Sequence, residues 1–384
     1  MTVPKLRFPE FRDAPEWGVR RLADLFTIGN GRDYKHLAKG NIPVYGTGGY
    51  MLSVDDCLYD GESVCIGRKG TIDKPMFLSG KFWTVDTLFY THSFKGCLPK
   101  FIFSIFQNVN WIKHNEAGGV PSLSKANIEK IEVAIPKPEE QQKIADCLSS
   151  IDELINAQTK KIEALKNHKK GLMQQLFPAE GEALPKLRFP EFRDAAAWKE
   201  NLLGKLFHDR QEVGYLSLQL LSLTHKEGVI LQEDSNRKNN SSADKTKYLR
   251  VCTGDIVYNT MRMWEGRSAL VGLEGLVSPA YTVCQPSYQT NSLFFSYYFK
   301  THQLIKQFHK YSQGLVKDTL NLKFLAFSKI PVPIPSAVEQ QKIADCLSSI
   351  NELINVQTQK IEALKNHKKG LMQQLFPAVN EIVT

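Results

Sequence analysis

Two short segments of the 384-residue chain carry the side chains best suited to chemistry on a partner. The first is Cys65-Ile66-Gly67-Arg68-Lys69-Gly70-Thr71-Ile72, in which two glycines flank a basic pair after a strand-like run. Glycine lets a backbone approach a phosphate, and Arg68 or Lys69 could reach a phosphate or the edge of a guanine. A basic β-turn would carry the same residues. The second is Tyr258-Asn259-Thr260-Met261-Arg262-Met263-Trp264, followed by Ser278-Pro279-Ala280-Tyr281. Asparagine suits adenine, arginine suits guanine, and tryptophan offers a plane for packing. A core strand with Met and Trp buried and Asn259 at a turn is the other reading. Gly118-Gly119-Val120-Pro121-Ser122 and Gln313-Gly314-Leu315-Val316-Lys317 hold similar places further along and read as loops able to touch a backbone.

Other chemistries lack their residues. There is no GxxxxGK[ST] phosphate loop, so the chain is not expected to burn ATP. Gly46–Gly49 (GTGG) resembles such a loop only loosely and reads as a plain turn. No Asn-Pro-Pro-Tyr sequence of an amino-methyltransferase occurs, the nine histidines form no ligand cluster, and no nuclease carboxylate–lysine set stands out. Seven cysteines without a CxxC pair read as reduced, mostly buried thiols. No apolar run nears the roughly 18 residues of a membrane span, and the opening MTVPKLRFPEF lacks a signal-peptide core, so a cytoplasmic protein is expected.

What must position the two segments is a repeated frame. Glu140–Ala179 and Glu339–Ala378 are identical at 37 of 40 positions, the exceptions being Asp152/Asn351, Ala157/Val356 and Lys160/Gln359. As far as Phe177 and Phe376 each copy lacks proline and reads as one continuous helix. Ile144, Leu148, Ile151, Ile155, Gln158, Ile162 and Leu165 step by four and three, as do Ile343, Leu347, Ile350, Ile354, Gln357, Ile361 and Leu364. That is a heptad seam, and a narrow seam wants one partner helix, which the second copy supplies. The recurring Asn-His-Lys-Lys of each copy reads as a solvated face. Pro4–Trp17 also returns as Pro185–Trp198, with 12 of 14 residues identical. Ile131-x-Val133-x-Ile135-Pro136 matches Ile330-x-Val332-x-Ile334-Pro335, an alternation expected of a closing strand.

Between these constants the two blocks diverge almost completely. Strand-like runs at Ile42–Tyr45, Ser63–Ile66, Phe82–Tyr90, Asp255–Asn259 and Ser278–Val283, with helical runs at Phe101–Phe106 and Ser292–Phe308, predict α+β blocks on a curved mixed sheet. Of the net charge of +9, the segments 1–139 and 180–338 hold +3 and +5 while the helical repeats are nearly neutral. A basic excess confined to two blocks suits a polyanion partner at two places.

Taken together the pattern resembles the specificity subunit of type I restriction-modification systems. The resemblance rests on the twice-repeated proline-ended strand running into Glu-Gln-Gln-Lys-Ile-Ala, at Ile135–Ala145 and Ile334–Ala344, and on the Pro-Lys-Leu-Arg-Phe-Pro-Glu-Phe openings. GRKGTI with Trp83-Thr84-Val85-Asp86, and GDIVYNTMRMW with VSPAY, look like two kinds of target recognition domain. The resemblance implies an α+β fold of two mixed α/β target recognition domains alternating with two long helices packed as an antiparallel coiled coil, with pseudo-two-fold symmetry. The divisions would be residues 1–139, 140–178, 179–338 and 339–384. It implies DNA contacts at Arg68, Lys69, Gly70, Thr71, Trp83, Asn259, Met261, Arg262, Trp264 and Tyr281, and no catalysis in this chain. Double-stranded DNA, two methyltransferase (modification) subunits and restriction (translocase/nuclease) subunits would be the partners. S-adenosylmethionine, ATP and Mg²⁺ would sit on those partners and no cofactor on this chain. In an antiparallel pair Gln158 and Gln357 would fall in neighbouring central layers and help fix register. The near-identical frames suggest exchange of target domains by recombination. The rivals are a self-contained DNA methyltransferase or nuclease, which would require a cofactor motif not found in the sequence, and a coiled-coil scaffold whose blocks bind proteins.

Overall fold

The structure, a computed structural model, describes residues 2–224, 228–235, 241–316 and 319–377; Lys317 of the second loop and the end of the last segment lie outside them. The first block runs β1 (Gly18–Arg21), α1 (Leu22–Leu25), β2 (Thr27–Asn30), β3 (Lys39–Gly46), β4 (Gly49–Val54), β5 (Tyr59–Asp60), β6 (Ser63–Gly67), β7 (Met76–Leu78), β8 (Lys81–Thr84), β9 (Leu88–His92), α2 (Pro99–Asn108), α3 (Lys125–Glu129) and β10 (Glu132–Ile135), and leads into the long helix α4 (Pro138–Leu176). The second runs β11 (Lys199–Leu202), α5 (Leu203–Leu206), β12 (Phe207–Asp209), β13 (Leu221–Thr224), β14 (Gly228–Leu231), β15 (Leu249–Val251), β16 (Ile256–Asn259), β17 (Ser268–Leu270), β18 (Gly275–Val277), β19 (Tyr281–Pro286), α6 (Ser292–Tyr298), α7 (His302–Tyr311), α8 (Phe324–Phe327) and β20 (Pro331–Ile334), and leads into α9 (Ala337–Leu375).

The chain sorts into two compact units, residues 1–160 with 358–384, and residues 161–357. Each holds one block with the start of one long helix and the end of the other. In the first unit Ile144 and Leu148 share a core with Met372, Leu375 and Phe376, so early residues of α4 meet late residues of α9 and the two run antiparallel. In the second, Ile343, Ala344 and Leu347 share a core with Leu176 and Phe177 in the same sense. Ile144, Leu148, Ile151, Ile162, Ile343, Leu347, Ile350 and Ile361 are buried, and Ile155, Gln158, Leu165, Ile354, Gln357 and Leu364 half-buried. Their neighbours on the outer face are largely charged or polar and exposed, which is the narrow stripe of a helix with one partner.

The Glu-Gln-Gln-Lys-Ile-Ala repeat does three jobs at the start of each long helix. Its glutamate takes a buried arginine from the opening strap: Arg7 grips Glu140 through Nε and Nη2 at 2.8 and 2.7 Å, and Arg188 grips Glu339 at 2.9 and 2.7 Å. Its first glutamine ties the helix to the block. Gln141 Oε1 accepts from the Leu98 N–H at 2.9 Å while Nε2 donates to Gly96 and Pro136 carbonyls; Gln340 Oε1 accepts from the Asn291 N–H at 3.1 Å and Nε2 donates to Pro335. Its isoleucine and alanine go into the core. The strap is fastened at its other side to the end of the partner helix, Leu6 N–H to Gln374 O and Leu187 N–H to Gln175 O, both 2.9 Å.

Within the blocks, the proline-ended strands close antiparallel pairs, β1 with β10 and β11 with β20. The centre of each block is a four-stranded antiparallel sheet of the same order, β2-β9-β6-β7 and β12-β19-β16-β17. One curved mixed sheet was expected; the structure has several small sheets instead, and among the described strands only β3 and β8 pair in parallel. The run Phe82–Tyr90 is two strands, because residues 85–87 turn to take part in the loop contacts described below. The run Ser292–Phe308 is two helices, broken where Thr301 caps α7 by accepting from the Leu304 N–H. Ser278 begins a turn, its carbonyl accepting from the Tyr281 N–H, and the strand starts at Tyr281.

Candidate nucleic-acid interface

In the first unit Arg68 and Lys69 leave the end of β6, an inner strand of the central sheet. Gly67 is required there, since a Cβ would lie 2.0 Å from the Thr71 carbonyl, and Gly70 sits at φ +98, a region that favours glycine. The backbone is held on two sides. Arg68 and Lys69 N–H donate to Thr87 O at 2.8 and 3.3 Å, Gly70 N–H donates to Pro121 O at 2.9 Å, and Leu123 N–H donates to Arg68 O at 2.9 Å. The basic turn and the Gly118–Ser122 loop are therefore one structure, with Asp86 and Thr87 joining from the turn before β9. Together they border an open depression of about 600 Å³. Arg68 and Lys69 are exposed, and among the described residues neither side chain is in an ion pair. Thr71 is half-buried. The loop is stapled by Asn115, whose Oδ1 accepts from Ala117 and Ser122 N–H. Glu116 accepts from the Ser124 hydroxyl at 2.6 Å, which holds its carboxyl below the ordinary value.

Trp83 is placed differently from the surface contact expected of it. It is 5% exposed, packs with Val44, Val54 and Val85, and its indole N–H donates to Arg32 O at 2.8 Å. Its ring is spent on the core, where a large apolar body and a single N–H are both satisfied.

In the second unit the NTMRMW segment leaves the end of β16, the strand in the same place of the matching sheet. Leu322 N–H donates to Thr260 O at 2.9 Å, just as Leu123 does to Arg68, and Leu123 and Leu322 hold the same place in the repeat. Gln313 and Asn321 exchange both backbone hydrogen bonds at 2.8 Å, so this block's loop also folds back beside the turn. The two segments singled out by residue type alone therefore occupy one topological position.

The chemistry there is organised otherwise. Asn259 Oδ1 accepts from the Met261 N–H at 2.9 Å, and Trp264 donates to Met261 O at 3.0 Å with its ring edge-on to His309. Glu265 takes Arg262 at 2.9 Å and Arg267 at 2.7 Å. Burial raises the Glu265 carboxyl, but the two guanidinium groups outweigh it and hold the carboxyl below its usual range. Met261 and Arg262 are exposed, Asn259, Trp264 and Tyr281 half-buried, and Met263 is wholly buried. Asn259 and Tyr281, paired across β16 and β19, border a small polar hollow of about 60 Å³ with Arg267 and Lys300. Lys300 is exposed as a residue, yet its Nζ is drawn onto the Gly266 and Ser268 carbonyls, both at 2.5 Å. Loss of water there pushes its ammonium down to about 8.

Residue-type reasoning missed Asp86, Thr87, Arg267 and Lys300. Thr87 reaches Arg68 only through the pairing of β6 with β9, which no local pattern reveals. Lys300 had a signal, as the one charge closing the aromatic run Ser292–Phe299.

Comparison with known proteins decides the family. The family described as "Type I restriction modification DNA specificity domain" matches residues 15–167 and 235–366, most of the chain and part of both blocks. The chain belongs to this family. A type I restriction enzyme specificity subunit from Methanocaldococcus jannaschii is 28% identical over 348 residues, covering 83% of this chain and 77% of the relative. A second specificity subunit from the same organism, described as putative, is 26% identical over 66% of this chain and 60% of its own length. Among solved structures, a type I restriction-modification S subunit from M. genitalium has the same fold, with a TM-score of 0.66 and 14% identity over 98% of this chain and 99% of that one. The relatives are specificity subunits, the non-catalytic members of their systems. No helix among the described residues is long and apolar enough to cross a membrane, and no three His, Cys, Asp or Glu side chains among them are grouped to hold a metal ion.

Proposed function

We propose that each unit of this specificity subunit reads one half of a bipartite double-stranded DNA target. The observation that carries the reading is the shared position of two unlike loops. In both blocks the turn after an inner strand of the central sheet meets the loop before the closing strand, and both turns carry groups that suit phosphates and base edges. Arg68, Lys69, Gly70 and Thr71 would serve the first half-site, and Asn259, Met261, Arg262, Trp264 and Tyr281 the second. Trp83 would act from beneath, by fixing Arg32. The long helices, each 39 residues and so on the order of 58 Å, would set the unread gap between half-sites. Two methyltransferase subunits would dock on that frame, and a restriction subunit would join them. S-adenosylmethionine, ATP and Mg²⁺ would belong to those partners, and the complex would work in the cytoplasm.

Methylation mapping tests this in a host expressing the chain with its companion modification subunit. The expected result is a two-part motif with a fixed gap, methylated at an adenine in each half. A stable, active complex that leaves no such motif would return the chain to the protein-binding scaffold reading.

A further inference from the structure

The repeats Glu140–Ala179 and Glu339–Ala378, which form most of the two long helices, differ at three places in 40 residues. Ala157/Val356 and Lys160/Gln359 are exposed, and nothing in the structure explains them. Asp152/Asn351 is different, because each member faces the block its own unit carries.

In the first unit Lys368, 9% exposed, donates to Asp152 Oδ1 and Oδ2 at 2.8 and 2.7 Å and to Gln107 Oε1 at 2.8 Å. Three acceptors meet the three protons of the ammonium, and the third comes from α2 of the block. In the second unit the counterpart is Lys169. Its Nζ donates to Asn351 Oδ1 at 2.7 Å and lies 5.1 Å from the centre of the Tyr297 ring. Asn351 Nδ2 donates to the Tyr297 hydroxyl at 2.7 Å, and Tyr297 belongs to α6 of the block. The two block helices sit alike, since the N–H groups of Leu98 and Asn291 both reach the first glutamine of the repeat. Counted from those residues, Ser104 stands where Tyr297 does. Desolvation with no carboxylate beside it pushes the Lys169 ammonium down, in keeping with this geometry.

We infer that residue 152/351 is a key matching each block to its place in the frame, and that the match is one-directional. The Tyr297 hydroxyl can pair with an amide or a carboxylate, and its ring receives the lysine in either case. Block two therefore fits over Asp152 or Asn351. Block one brings Gln107 and Ser104: the Ser104 hydroxyl already donates to the Lys100 carbonyl at 3.2 Å, and among the described residues no ring faces Lys368 as Tyr297 faces Lys169. Seated over Asn351 it would leave a desolvated ammonium without a countercharge. Block one is thus tied to an aspartate, and an exchange of blocks is viable in one direction unless residue 351 changes with it.

The test uses full-length chains and thermal melting, which reads the key whatever the blocks bind and so stands or falls apart from the DNA reading. A chain carrying residues 18–136 in both block positions should melt several degrees below the native chain, and N351D should restore most of that loss. A chain carrying residues 199–335 in both positions should melt near the native chain and tolerate D152N, which in the native chain costs several degrees. Equal gains from N351D in the native and block-one chains, or equal losses from D152N in the native and block-two chains, would overturn the key. Should the exchanged chains fail to fold, double-mutant cycles in the native chain decide it: D152N with Q107A, and N351D with Y297L, which removes ring and hydroxyl together so that the carboxylate should help only in the Y297L background. Coupling in both supports the key, and additivity in either overturns it.

Discussion

Block one and block two hang on the same frame and share the same central sheet, yet they offer a partner different surfaces. The first presents Arg68 and Lys69 from a glycine-flanked turn with no ion pair to either among the described residues. The second presents Arg262 and Arg267 already leaning on Glu265, beside a half-buried tryptophan and asparagine. An unpaired basic turn is free to settle on whatever phosphate or base lies opposite. A pair of arginines locked by a carboxylate is pre-oriented, and must either keep that geometry or exchange one acceptor for another. The frame is constant because it solves one assembly problem twice. On the proposed function, the turns differ because each would solve its own recognition problem.

If the frame is equivalent in both units, breaking it should cost the same in each. Removing Arg7 or Arg188 leaves Glu140 or Glu339, both 2% exposed, as a buried carboxylate without its partner. The loss expected from breaking a buried pair is about 3–5 kcal/mol. Chemical denaturation of R7A and R188A should show losses of that order that agree with one another. A large inequality would trace to a contact the straps do not share, such as Trp198 Nε1 donating to Glu339 at 3.3 Å, since the arginine–glutamate distances match within about 0.1 Å.

The next effect separates the turns. R68A and K69A should weaken DNA binding on all sequences and flatten its salt dependence, by about 0.9 in the log–log slope for each phosphate no longer neutralised. If either side chain reads a base, its removal should instead relax one position of the first half-site, worth about 1–3 kcal/mol. In block two the informative change is E265Q, which releases Arg262 and Arg267. Binding should strengthen on nonspecific DNA, with a steeper salt dependence and weaker preference in the second half-site. Unchanged binding by E265Q at every salt concentration would show that those arginines do not face DNA.

The frame was legible because its physics is local. A heptad seam is written in steps of four and three, whereas the uses of Glu140 and Gln141 were not legible, because their partners Arg7 and Leu98 lie 133 and 43 residues away. The turn residues were legible only as types that suit a phosphate or a base edge, which a plain basic turn also carries. Their shared address was not legible, because it depends on which strand is central in each sheet, and strand order is a long-range property. Trp83 shows the converse limit: large aromatics suit cores as well as interfaces, and only burial separates the two. Asp152 and Asn351 have the look of drift in the sequence, and only their partners in α2 and α6 give them a meaning.

A smaller effect tests the frame from inside. Gln158 Oε1 in the first unit and Gln357 Oε1 in the second are buried and have no hydrogen-bond partner among the described residues. Leaving such an acceptor unpaired costs about 1–3 kcal/mol, and a buried polar seam residue is a common device for fixing register. Q158L and Q357L should each raise stability by roughly 1 kcal/mol and by similar amounts, as read by denaturant midpoints. If both are replaced and the half-site gap found by methylation mapping is unchanged, with no second register, the glutamines do not set register.

The smallest effect belongs to block two alone. Lys300 has its ammonium on two backbone carbonyls near Arg267, with desolvation lowering its value to about 8 from the ordinary 10.5. A lysine depressed by folding binds fewer protons in the native state than in the unfolded chain between those values. Stability must then rise with pH across that window, and the penalty is fully present below about 8. Because the residue is exposed, solvent will blunt the effect. The difference in stability between the native chain and K300M, followed from pH 7 to pH 10 by denaturation, isolates this group from other titrations. It should move in favour of the native chain as pH rises. A flat difference would mean that Lys300 keeps its water, and the polar hollow beside Asn259 and Tyr281 would then be open to solvent and to a DNA phosphate alike.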